Sequence, residues 1–307
     1  MSMDKKLTVL RDVIVADQHR LPNPAQQIAE AIKTRHGEAV LALVFYGSAL
    51  REVDEPGKIL DFYVIVKSYR SIYSNPILRA ATALLPPGVH FMQIDTTDGQ
   101  MLRSKYAVVS ERAFHKRASG GVLESMLWAR FVQPAVIVAD DPETYDKIVQ
   151  TFAKACSHFH AQTAPLLDET AALNEVWVRG LAESYRTELR PETPYDRAKK
   201  IVARAPDRYA ALSDILMDGE RGEDRSSGLA RLICQERWRL RRILGKPRGA
   251  LRVIKAALTF EGGVDYILEK VETHSGVHLE VSDRARRHPI VFAPVIAWRL
   301  YKAGAFR

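Results

Sequence analysis

The chain has only two cysteines, Cys156 and Cys234, in 307 residues. That excludes a disulfide framework and a four-thiolate zinc site, and it fits a reducing compartment. Long apolar runs are also missing: none approaches the ~18–20 residues needed to cross a bilayer. The opening segment, MSMDKKLTVLRD, has acids early and no apolar stretch. It resembles neither a secretory signal nor an acid-poor transit peptide, so the expected location is cytoplasmic. Glycine and proline, 17 and 15, are too few for a collagen-like or low-complexity chain. No internal repeat is present. His158 and His160 lie two apart and face different sides of a helix, and His115 and His288 are lone, so a zinc site is not expected.

What is present is a core-forming composition, 47% hydrophobic and 27% charged. It buries enough apolar surface to offset chain entropy, in one large domain or two of ordinary size. The net charge of +8 is unevenly placed. Residues 231–307 carry 16 Lys and Arg against 7 Asp and Glu, whereas residues 1–230 carry 29 against 30. The positive excess therefore belongs to the C-terminal quarter. It points to a localised anionic partner, membrane phosphates or nucleic acid.

Residues 6–18 and 25–35 read as helices; Ala25, Ile28, Ala29 and Ile32 share one helical face. The apolar run 40–46 reads as a buried strand ending in a tight turn at Gly47. Residues 58–66, KILDFYVIV, read as a second strand, rich in β-branched and aromatic side chains. A helix over 76–84 stops at Pro86-Pro87-Gly88, and strands follow at 89–95, 105–110 and 135–139. From 142 the pattern is helical, over 142–160, 171–187, 196–204, 206–217, 228–243, 247–258 and 263–274. Breaks are expected at the intervening prolines and glycines, Gly245 among them. The expected class is α+β: a mixed sheet with flanking helices, then a helical domain. The expected division is a catalytic part over 1–165, a helical part over 166–260 that completes the site, and a basic, aromatic tail over 261–307.

The informative constellation is Tyr46-Gly47-Ser48, a 12-residue gap, then Asp61 inside a strand. Strand, Gly-Ser turn and strand acid form the nucleotidyltransferase arrangement. Glycine lets backbone approach a triphosphate without a Cβ clash. The serine hydroxyl and adjacent N–H groups donate to phosphate oxygens. A carboxylate on the next strand holds Mg²⁺, which neutralises the triphosphate during in-line displacement. Many such enzymes carry a second acid two residues after the first, where this chain has Tyr63. Asp95, ending the third strand, is the candidate second metal ligand. The competing reading is a turn glycine and a core aspartate satisfied by a hydrogen bond.

The segments FYGSAL, LDFYVIV, SKYAVVS and LWARFVQPAVIV, in that order, resemble the peripheral phosphatidate cytidylyltransferase family. These are mitochondrial-type CDP-diacylglycerol synthases, also called translocator assembly and maintenance proteins. The family is similar in its tyrosine-glycine-serine turn (Tyr46, Gly47, Ser48) and its leucine-aspartate-phenylalanine strand (Leu60, Asp61, Phe62). It also places a hydrophobic residue at the Tyr63 position. Lys105 and Tyr106 match its lysine-tyrosine pair. Trp128, Arg130 and Pro134 match a tryptophan-bearing helix followed by an arginine-proline step. SYRTELRPE resembles a family segment with an acid and an arginine, here Glu188 and Arg190. The likeness covers roughly residues 40–205 well and the next sixty weakly. The family turn usually continues with a second glycine, where this chain has Ala49. The segment beyond about 270 does not match the mitochondrial members, and a bacterial relative is the expectation.

The resemblance implies a Mg²⁺-dependent reaction in which CTP and phosphatidic acid give CDP-diacylglycerol and pyrophosphate. The nucleophile is already an anion, so alignment and charge neutralisation dominate. Asp61 is then the metal ligand and Gly47-Ser48 the triphosphate cradle. Lys105 is a phosphate contact. Tyr106 stacks on cytosine or packs in the core, and Glu188 with Arg190 shapes the pocket or touches substrate. Phosphatidic acid lies in a bilayer, so the enzyme is expected at the inner face of the membrane. Residues 237–255 interleave basic residues, among them Arg241, Arg242 and Arg248, with bulky apolar ones, as an interfacial helix does. Trp298 and Tyr301 extend the same expectation to the terminal segment. Nucleic acid is not the expected partner, because the tail carries no RNA-binding motif. The alternatives are transfer to another acceptor (RNA, protein or a small phosphate) or a non-catalytic assembly factor.

Overall fold

The computed structural model describes residues 2–50, 58–96, 99–168, 171–189, 193–217, 228–259 and most of 268–304. Two helices lead, α1 (Met3–Ala16) and α2 (Asn23–His36), followed by β1 (Val40–Tyr46) and β2 (Ile59–Val66). Then come α3 (Pro76–Leu84), β3 (Gly88–Asp95), β4 (Met101–Ser110), α4 (Glu111–Ala118) and β5 (Ala135–Ala139). The helical continuation is α5 (Pro142–Thr163), α6 (Glu175–Arg186), α7 (Pro194–Ala203), α8 (Pro206–Met217) and α9 (Gly228–Thr259). Two further helices, α10 (Asp283–Arg287) and α11 (Pro289–Lys302), lie near the C-terminus.

The five strands form one mixed sheet in the order β3-β4-β2-β1-β5. The central pair β2 and β4 is parallel, and the other pairs are antiparallel. Strand alternation divides the side chains between two cores. Ala42, Val44, Tyr63, Ile65, Ala107 and Val109 face one core, which α1, α4, α5, α6 and α8 complete. Leu43, Phe45, Phe62, Val64, Tyr106 and Val108 face the other, which α2 closes through Ala25, Ile28, Ala29 and Ile32. The first core takes Val44 and Ile137 from the sheet, Trp177 from α6, Tyr209 from α8 and Trp238 from α9. One core therefore crosses the expected division at 165/166.

The strands begin and end within a few residues of expectation. Three readings need correction. Residues 111–118 form a helix, α4, that was not expected. The expected break at Gly245 is absent, and α9 runs unbroken across both Gly245 and Pro247. The helix expected over 171–187 starts at Glu175. The helix expected over 263–274 lies mostly outside the described residues.

Candidate active site

The sheet builds the first half of the site. β1 ends at Tyr46, which pairs with Asp61 across the antiparallel ladder. On its other side Asp61 is in register with Lys105 of β4. Paired residues point to the same face, about 4.8 Å apart from strand to strand. Tyr46, Asp61 and Lys105 thus form one row. Gly47 follows with φ +94°, and a Cβ placed there would lie 3.2 Å from Asp61 Oδ2. The glycine lets the turn pass over the carboxylate, leaving Ser48 exposed at the rim. Ala49, where a second glycine was the norm, is buried in the core on the other face. Its methyl group therefore takes no part in the turn's outer surface.

Helix α7 builds the second half. A cavity of about 550 Å³ opens at Gly47 and Ser48, with Arg130, Arg197, Lys200 and Arg204 in its walls. Arg197 and Lys200 of α7 and Arg204, which caps its C-terminal end, recur at helical spacing, so three cations line the cavity beside the turn. Arg130 stacks its guanidinium 5.2 Å from the centre of the Tyr46 ring. Its Nε has no hydrogen-bond partner among the described residues. Burial opposes the charge on Arg130, but Tyr185, Glu188, Tyr46 and Tyr63 favour it, and its pKa is raised overall. Tyr63, in the place of a second acid, is buried, and burial pushes its phenol up to about 12. Its neighbours include Arg130, Glu188 and Asp61, so it is a neutral wall of the site.

Several expected residues lie elsewhere. Asp95 is exposed on edge strand β3, whose row partner for Lys105 is Phe91. Four residues along a strand is ~13 Å, so Asp95 does not reach the metal position beside Asp61. Tyr106 is fully buried on the opposite face and hydrogen-bonds with His36 Nε2 at 3.0 Å. The strand period, which sends neighbours to opposite faces, excludes it from the site. Glu188 lies close enough to Arg130 and Tyr63 to favour the charged guanidinium and the neutral phenol. Arg190 lies outside the described residues. Arg241 is buried, donating to Leu123 O at 2.7 Å and Gln162 Oε1 at 2.6 Å, and it is not a membrane contact. Arg242 donates to Glu183 Oε2 at 2.6 Å and Arg248 is half-buried. Trp298 and Tyr301 are 57% and 72% exposed. The cavity cations Arg197, Lys200 and Arg204 were not anticipated; their recurrence at helical spacing along a short helix and its C-terminal cap was the available signal.

Among the described residues no three His, Cys, Asp or Glu side chains gather as a metal cage. Mg²⁺ does not need one, because one or two carboxylates with water and substrate phosphates complete its octahedron. Asp61 beside the Gly47-Ser48 turn fits that sparse donor set.

No family model matches the chain, and no curated protein matches it. Among solved structures, it is similar to a nucleotidyltransferase-like protein from Exiguobacterium sibiricum 255-15. That likeness spans 91% of this chain and 92% of the other at 12% identity, with a TM-score of 0.28.

Proposed function

We propose that the chain is a Mg²⁺-dependent nucleotidyltransferase that moves CMP from CTP to phosphatidic acid, releasing pyrophosphate. One observation carries the reading. The Gly47-Ser48 turn, with Asp61 against it, opens into a cavity walled by Arg130, Arg197, Lys200 and Arg204. Four cations against one acid in the wall, Asp196, suit a triphosphate far better than a neutral ligand. In the reaction a phosphate oxygen of the acceptor attacks the α-phosphorus of CTP. The bond from that phosphorus to the bridging oxygen breaks, and pyrophosphate leaves with the electron pair. Ser48 and the turn N–H groups hold the triphosphate in line. The arginines and lysine stabilise the charge that builds on the leaving group. Asp61 would hold Mg²⁺, which would supply further charge neutralisation of the triphosphate. No general base is required, because the nucleophile is an anion.

The choice of CTP and a lipid acceptor rests on the matching segments of the sequence. It is supported by the exposed Trp298 and Tyr301 and by Leu240, Ile243 and Leu251, which are exposed along α9. Such side chains suit the headgroup layer of an anionic membrane. The test is labelled CTP with Mg²⁺ and phosphatidic acid vesicles. CDP-diacylglycerol is the expected product, and Asp61→Asn should lower its rate by about 10³-fold or more. Label appearing on tRNA, protein or a small phosphate instead of lipid would overturn the acceptor. A cell in which Asp61→Asn retains the full biological role would point to a non-catalytic assembly factor.

A further inference from the structure

A second cavity, about 590 Å³, adjoins the first where α7 begins: Pro194 lines one and Thr193 the other. Its walls carry Arg186, Arg242 and Lys246 against one acid, Glu188, with Tyr185 and Ile243 beside them. The two arginines come from two helices and are gathered by one buried carboxylate. Glu183 of α6 accepts from Arg186 at 2.6 Å on Oε1 and from Arg242 of α9 at 2.6 Å on Oε2. Arg179 approaches the same Oε1 at 3.4 Å. The Glu183 side chain is 3% exposed, so its two oxygens fix both guanidiniums from behind. Each of Arg186 and Arg242 engages Glu183 through one nitrogen, leaving further N–H groups of the fork for another acceptor. Lys246, one turn beyond Arg242, is exposed and has no partner among the described residues.

With Glu183 behind the arginines and Glu188 in the wall, three cations still outnumber two acids around the cavity, an excess that favours an entering anion. Tyr185 joins this space to the nucleotide cavity. It lines the second cavity, Arg197 of the first stacks 5.4 Å from its ring centre, and Arg130 feels its oxygen. Ile243 is 59% exposed, and Leu240 and Leu251 continue its face of α9. The mouth is thus cationic within and apolar along one side.

We infer that this second cavity is the acceptor subsite, taking a phosphomonoester that carries an apolar chain. Arg186, Arg242 and Lys246 hold the phosphate, and the Ile243 face of α9 takes the chain. Glu183 is a positioning residue. The inference rests on the proposed transfer reaction but is testable apart from it, because it concerns binding without nucleotide.

The experiment titrates the full chain with dispersed dioctanoyl phosphatidic acid, with glycerol 3-phosphate and, separately, with CTP, by calorimetry. Arg242→Gln and Lys246→Gln should each weaken the lipid phosphate about tenfold, the cost of one charge-assisted contact, and leave CTP affinity within about twofold. Lys246→Gln removes an unpaired surface charge and does not threaten folding, so it tests the site even if Arg242→Gln misfolds. Unchanged lipid affinity in a folded Lys246→Gln protein, an equal loss of CTP affinity, or no lipid binding by the natural chain overturns the inference. Glycerol 3-phosphate binding as tightly as the lipid overturns its apolar half and makes a soluble phosphomonoester the ligand. If the lipid binds with this dependence and no CMP transfer occurs, the subsite stands and the proposed reaction falls. If transfer proceeds with an acceptor KM indifferent to both substitutions, the reaction stands and the subsite falls.

Discussion

At the scale of single residues the site depends on a backbone conformation that only glycine adopts easily. Gly47 has φ +94°, and a side chain there would meet Asp61 Oδ2 at 3.2 Å. Gly47→Ala is expected to cost about 1–2 kcal/mol in stability from the left-handed backbone alone. It should also push the carboxylate aside and lower CMP transfer more than about 100-fold, since a small displacement of an aligned group is costly. A denaturation midpoint and a rate separate the two effects. Glu183 offers a contrasting case, a buried acid serving three arginines that are each about two-fifths exposed. Glu183→Ala leaves those cations facing one another without a counter-charge. Solvent screening of the exposed partners reduces the usual penalty for breaking a buried pair to about 2 kcal/mol. A fall in urea midpoint of that size, with an unchanged slope, is the expected measurement. Gly47, Ser48 and Asp61 were legible in the sequence because a strand end and a short gap fix them relative to one another, whereas Lys105 was reached only through the family resemblance. Arg197, Lys200 and Arg204 come some 150 residues later in the chain, and no local pattern says which turn their helix faces.

At the scale of elements, the strands were legible because β-branched and aromatic residues cluster between clear turn signals. Helix α4 was missed because ERAFHKRA is short and mostly polar; Phe114 and Ala118 are its fully buried anchors. Helix α9 was misread for a different reason. Gly245 looks like a stop signal, yet it is a packing residue. A Cβ there would lie 2.5 Å from Thr187 O and 2.9 Å from Thr187 Cβ, at the end of α6. The glycine lets α9 press against that helix end, which also brings Arg242 to Glu183. Gly245→Ala improves helix propensity by up to ~1 kcal/mol but forces the helices apart. Overpacking of this kind costs about 1–3 kcal/mol, so a net loss of stability is expected. Thermal unfolding with and without the substitution checks it; a stabilised variant would show that α9 does not need this close approach.

At the scale of the whole molecule, the uneven charge was real but only partly outward-facing. Arg241, Arg252 and Lys255 belong to the basic run, yet they tie α9 to the rest of the fold. Arg252 donates to Pro86 O and pairs with Glu124, and Lys255 donates to Leu85 O and Pro87 O. A count of charges cannot separate those tethers from cations that face water, because both need the same residue types. The tethered cations have a further effect, on the pH range of the fold. His158 has a pKa lowered to about 4, first by burial and then by Arg241 and Arg237. His90 is lowered to about 4 by burial, then by His36, Arg35 and Lys255. An unfolded chain regains the ordinary value near 6.5, so it takes up these protons before the folded chain does. The stabilisation is complete above about pH 6.5 and is lost progressively as pH falls towards 4. Melting temperature should therefore drop steadily between pH 6.5 and 5, a range in which ordinary carboxylates stay ionised. His158→Asn and His90→Asn should flatten that slope, and a melting temperature constant across the window in the natural chain would contradict the buried, neutral state of both rings.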